Sequence, residues 1–111
     1  MKNDFGGHDN HHYGNVHAYA GQTMGVCEQL DGHEDVFTAN RVVLTGTDVG
    51  GVQCAAPGMP VMSRNAYYTP TGAISECGAD LADWQALGNY ANSSVAPIPS
   101  DATIIGWAVG L

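Results

Sequence analysis

The stretch His33-Glu34-Asp35-Val36-Phe37-Thr38-Ala39-Asn40-Arg41-Val42-Val43-Leu44 decides how this chain is read. It holds two short apolar runs, Val36-Phe37 and Val42-Val43-Leu44, set apart by Thr38-Ala39-Asn40. Runs this short, rich in β-branched and aromatic residues and bounded by turn formers, predict two strands around a corner. Stepping back gives a row from His8 to Tyr19 with Asn15 in the place of Asn40. Stepping forward gives a row from Gly58 to Thr69 with Asn65 in that place. The three asparagines repeat every 25 residues. Gly21 and Gly46 keep the same step, Gly72 falls one residue late, and Cys27, Cys54 and Cys77 occur once per row.

Such a period marks a solenoid, in which each repeat buries its apolar face against its neighbours. The rows are strand-like and lack the leucine framework of other repeats of this length. They predict an all-β fold, a right-handed parallel β-helix of about three coils with a short C-terminal capping helix. Residues 1–79 form the coils and 80–111 the cap of the same domain. Asn suits the corner because it tolerates the left-handed turn conformation, and stacked amides can donate and accept along a column. Val42 and Leu44 read inward with Arg41 outward, and Tyr67 shares the inward phase. In the first row the inward slots hold His17 and Tyr19, which fits an edge coil.

The period breaks at Asp80. Asp80 to Gly88 predicts a helix with Asp80 as N-cap, Leu81, Trp84 and Leu87 along one face, and Gly88 as its stop. Such a helix covers the end of the coil stack and hides strand edges. Asn89 to Ile98 reads as loop. Ala102 to Leu111 is ambiguous: Pro99-Ser100-Asp101 offers an N-cap, while Thr103-Ile104-Ile105-Gly106 weakens the helix reading.

The chain of 111 residues has 44% hydrophobic and 13% charged residues, which excludes a disordered acidic tail. Three Lys and Arg face eleven Asp and Glu, for a net charge of −8, so nucleic acid is excluded as a partner. No run reaches the roughly 18 apolar residues that a membrane span needs. The first residues show no apolar signal segment, and the chain starts directly in patterned sequence, so it reads as the C-terminal part of a longer protein.

The coils resemble right-handed β-helix repeat proteins, a group rich in secreted polysaccharide lyases and glycoside hydrolases. The segment Trp84-Gln85-Ala86-Leu87-Gly88 followed by Ser93 looks like a Trp-Gln-x-x-Gly-x-Asp-x-x-Ser pattern near the C-terminus of such proteins, with Tyr90 in the Asp position. The resemblance implies a carbohydrate-active protein, lyase or hydrolase, with a polysaccharide or glycan partner and an extracellular or cell-surface location. The alternative is a non-catalytic β-helix, a structural or glycan-binding module whose catalytic site lies upstream.

The register itself supplies candidate chemistry. It stacks His8 on His33, Asp9 on Glu34 and Asn10 on Asp35, with coils about 4.8 Å apart. Two carboxylates that close cannot both ionise freely, so one is expected to hold its proton to high pH. A raised and an ordinary carboxylate are the acid and nucleophile of a retaining glycosidase. Asp9, Glu34, Asp35 and His33 are therefore the catalytic candidates. His8, His33 and Asp35 form an alternative divalent-metal set, with His11, His12 and His17 nearby. The plain alternative is a solvated turn edge. Tyr67 and Tyr68 are candidate sugar platforms, one of the two pointing outward. Cys27 with Cys54, or Cys54 with Cys77, can bridge neighbouring coils, and Asn92-Ser93-Ser94 matches the glycosylation acceptor pattern. Three coils are about the minimum for a solenoid, so self-association through an open N-terminal coil is expected.

Overall fold

A computed structural model describes residues 2, 3, 8–26, 29–52 and 59–110. It is a parallel β-solenoid of about three turns. The strands run β1 Lys2–Asn3, β2 His11–Tyr13, β3 Val16–Ala20, β4 Met24–Val26, β5 Val36–Thr38, β6 Arg41–Leu44, β7 Gly50–Val52, β8 Val61–Ser63 and β9 Ala66–Thr69. Helix α1, Leu81–Ala86, then precedes β10, Ser94–Pro97, and helix α2, Asp101–Val109. Strands one coil apart pair in parallel to make three sheets: β1-β4-β7, β2-β5-β8 and β3-β6-β9-β10. The pairings His11 with Val36, Val36 with Val61 and Arg41 with Ala66 keep the 25-residue step read from the sequence.

The corner between the second and third sheets shows why the repeat has its residues. Gly14, Ala39, Arg64 and Asn92 all have φ between +53° and +67°. The left-handed residue is thus the one before each Asn, and not the Asn itself as the sequence suggests. The Asn amide has another task. Asn15 and Asn40 each donate a backbone N–H to the Oδ1 of the Asn one coil on, at 3.0 and 2.9 Å. Their Nδ2 groups donate to the same oxygens. Asn40 and Asn65 also donate Nδ2 to the carbonyls of His12 and Phe37. The corner peptides leave the sheet ladders here, and the column satisfies polar groups that would otherwise be buried unpaired.

Val42, Leu44 and Tyr67 lie fully buried with Phe37 and Met62 in one core that runs through the coils. In the first coil His17 takes the inward slot opposite Val42, with its ring 5.7 Å from Phe37. Tyr19 does not take the next slot. It has φ +56°, the register shifts between His17 and Ala20, and Ala20 pairs with Leu44. This bulge turns the phenol outward, where its hydroxyl donates to Asp101, and leaves a small methyl inside.

The cap follows the sequence reading at its start and departs from it further on. Asp80 N-caps α1 through a reciprocal capping box with Asp83, Trp84 is buried, and Gly88 has φ +85°. Leu87 is 74% exposed, because the helix ends at Ala86 and Leu87 becomes its C-cap. The expected loop from Asn89 contains β10, which pairs with β9 from Ser94 to Pro97. The solenoid therefore runs past residue 79. Pro97, which lacks an N–H, is tolerated because β10 ends its sheet. The Trp-Gln-Gly-Ser pattern builds this last turn. Trp84 stacks on Tyr90 at 6.0 Å and Gln85 Nε2 donates to the carbonyls of Tyr90 and Ser93. Ser93 Oγ accepts from Asn65 N–H, one longer step of 28 residues along the column.

The ambiguous tail is helix α2, N-capped by Ser100. Arg41 and Val43 pair with Ala66 and Tyr68 in the outward phase of the third sheet, yet Val43 is fully buried. Helix α2 packs on this sheet, with Ile104 buried and the Trp107 ring 4.9 Å from Tyr68. The β-solenoid thus has an inner core and a second apolar layer under α2.

Candidate functional site

The polar edge of the first two coils is the first cluster. Asp9 lies where the chain enters the first coil, with φ +55°, and its N–H donates to the His33 carbonyl at 2.9 Å. Its Oδ2 lies 2.9 Å from Nδ1 of His8 and 2.9 Å from Nδ1 of His33. The two rings meet edge to face with centroids 5.8 Å apart, and all three residues are exposed. Hydrogen bonds from His8 and His33 hold the Asp9 carboxyl below its usual range.

The two carboxylates of the expected pair are each engaged by a different partner. Glu34 turns back to accept from Gly32 N–H at 2.9 Å, while Asp9 faces the imidazoles. Asp9 is shifted downward, opposite to the raised group that the stacked register suggested. Asp35 is fully buried and accepts from the backbone N–H and Nδ2 of Asn10 at 2.8 and 3.1 Å. It repeats the pattern of the Asn column at a second corner. The metal-capable set is therefore His8, Asp9 and His33, with Asp9 in place of Asp35. His11 lies against Tyr13, and His17 is turned inward, where burial lowers its basicity.

Of the two tyrosines, Tyr67 is completely buried in the core and burial pushes its phenol up. Tyr68 points outward but lies against Trp107. Trp107, half-buried on α2, borders a groove. The Arg41 guanidinium carbon lies 4.9 Å from the centre of its ring. The two border a groove of about 370 Å3 with Gly14, Asn15, Ala39 and Gly110. The left-handed corner supplies one wall and the C-terminal end of α2 the other. The sequence pointed to neither Arg41 nor Trp107 as a pair, since residues 66 apart meet only when α2 folds back. The available signal was the i, i+3 spacing of Ile104 and Trp107.

A third polar group is inside. Glu76 is buried and its Oε2 has no hydrogen-bond partner among the described residues. Burial first, and Asp48 second, raise its carboxyl to about 8. Trp84 Nε1 donates to the Glu76 carbonyl at 3.0 Å, which ties α1 to this point. Next to it, Cys77 is disulfide-bonded. Cys27 and Cys54 lie outside the described residues.

No helix among the described residues is long and apolar enough to cross a membrane. No protein-family model, no curated protein and no solved structure matches the chain. The chain itself folds as a parallel β-solenoid.

Proposed function

We propose that the chain is a non-catalytic β-solenoid module that binds glycan in the groove between the Asn corner and α2, in an extracellular or cell-surface setting. The observation that supports it is the Arg41–Trp107 pair. Arg41 is one of three cations in a chain of net charge −8, it is exposed, and no described carboxylate lies within ion-pair distance of it. The indole fixes the guanidinium in place, so its forked donors are pre-oriented for sugar oxygens. Trp107 adds an apolar wall and Asn15 an exposed amide at the rim. Hydrolysis by paired carboxylates is disfavoured, because Asp9 and Glu34 are each directed to a different partner.

The test is a glycan array of neutral and acidic polysaccharides, followed by calorimetric titration of any binder. Arg41→Gln should weaken binding about tenfold, the cost of one charge-assisted contact, with an unchanged melting temperature. Absence of binding across the array, or binding indifferent to Arg41→Gln, removes the proposal. Release of reducing ends or unsaturated products by the wild-type chain would instead favour the lyase or hydrolase reading.

A further inference from the structure

We infer that His8, Asp9 and His33 form a divalent transition-metal site, of the zinc class, that clamps the first coil to the second. The three side chains come from two coils, so no single stretch of chain carries the set. Both imidazoles aim the same atom, Nδ1, at one carboxylate oxygen, and the three donor atoms lie within 4.8 Å of one another. A tetrahedral zinc ion bound through nitrogen and oxygen at about 2.0–2.2 Å needs its donors somewhat over 3 Å apart. Small χ rotations that lengthen the 2.9 Å contacts open that space, and the exposed side chains have room for them.

The donor chemistry fits this class of ion. Two imidazoles and one carboxylate suit zinc, copper or nickel, whereas calcium and magnesium take oxygen-rich shells. The backbone bond from Asp9 N–H to the His33 carbonyl already fixes the two coils in register, so little chain entropy opposes assembly of the site. Three protein ligands leave a fourth position for water or for a donor from outside the chain. His11 and His17 are turned to Tyr13 and Phe37, so they compete little with this set.

Binding also has a mechanical consequence. β2 and β3 are end strands of their sheets and are held from one side only among the described strands. A metal shared between residues 8, 9 and 33 adds a cross-link at that edge. Ligand binding to the folded state alone raises its stability by mass action.

The experiment titrates zinc chloride into the full chain and follows imidazole nitrogen shifts by NMR alongside calorimetry. The expected result is one zinc per chain, shifts at Nδ1 of His8 and His33, and a higher melting temperature. His8→Ala and His33→Ala should each weaken binding at least about tenfold. Asp9→Asn retains hydrogen-bonding capacity but loses the charge, so it separates ligation from folding and should also weaken zinc. The double substitution of His11 and His12 by Ala should leave affinity unchanged. The inference is overturned by no saturable binding, by shifts confined to other histidines, or by affinity that survives removal of His8 and His33. None of these outcomes bears on the Arg41 groove, which is tested with glycan in the absence of metal.

Discussion

Asn40 Oδ1 accepts two hydrogen bonds from Asn15, one from its backbone N–H at 3.0 Å and one from its Nδ2 at 3.1 Å. The same arrangement joins Asn40 to Asn65 and closes on Ser93. Asn40 and Asn65 therefore each serve as acceptor to one coil and donor to another, whereas Asn15 enters the column as a donor. Asn40 and Asn65 have both tasks in the interior, whereas Asn15 is exposed.

Asn40→Ala should be much more damaging than Asn15→Ala. It strands the Asn15 backbone N–H and the His12 carbonyl and removes the Nδ2 donor to Asn65, while the backbone N–H at position 40 stays in place. A loss of about 2–3 kcal/mol is expected, against about 1 kcal/mol or less for Asn15→Ala. Urea unfolding of the two variants checks the order. Equal losses would mean that the column is not carrying the corner.

The left-handed corner gives a prediction of opposite signs at equivalent positions. Ala39 has φ +55° and Gly14 φ +67°. Ala39→Gly removes the Cβ penalty of a left-handed residue but makes the unfolded chain more flexible, for a net gain of about 0.5 kcal/mol. Gly14→Ala, with open space around its Cβ, should cost a similar amount through backbone strain alone. Thermal unfolding measures both, and a loss on Ala39→Gly would contradict the corner geometry.

Two glycines outside the corner differ for a steric reason. A Cβ on Gly50 would stand 2.3 Å from the Met24 carbonyl oxygen, a backbone atom in the paired strand, while one on Gly46 meets nothing within 4 Å. Gly50→Ala should cost about 3 kcal/mol because the coils must move apart. Gly46→Ala should be close to neutral. Calorimetric melting of the pair tests this, and a neutral Gly50→Ala would show that the coils are not in such close contact.

Glu76 sets an alkaline limit on stability. Its carboxyl is raised in the folded chain to about 8, above the ordinary 4.5. The folded state then binds more protons than the unfolded state, so stability falls as pH rises between those values. A loss of roughly 2 kcal/mol from pH 5 to pH 9 is expected, less than the full shift implies because the surrounding chain relaxes around the ionised carboxylate. Glu76→Gln should flatten this contribution and leave the variant more stable than wild type at pH 9. Urea midpoints across that range decide, and parallel profiles for the two proteins would exclude Glu76 as the cause.

Much of the fold was legible because it repeats. A 25-residue step in Asn, in Val42-Leu44 and in Tyr67 can be met only by stacking equivalent strands, and each copy confirms the phase of its neighbour. The Asp80 cap was legible for a local reason, since a carboxylate bonding the N–H three residues on needs no distant partner. β10 escaped notice because Ser94-Val95-Ala96-Pro97 has little strand preference of its own. The open edge of β9 makes it a strand by supplying backbone partners.

The candidate sites divide in the same way. The sequence by itself determined that His8, Asp9, His33, Glu34 and Asp35 stand near one another, because the coil register fixes their backbones. Only the tertiary structure decided that Asp9 turns to the imidazoles, Glu34 to Gly32, and Asp35 into the interior. Side-chain direction at a turn depends on local φ and on nearby donors, and neither has the period of the repeat. The Arg41–Trp107 pair is wholly a product of tertiary structure. It exists because Val43 leaves an apolar stripe outside the solenoid that α2 folds back to cover, and hydrophobic burial, unlike strand register, leaves no fixed spacing in the chain to read.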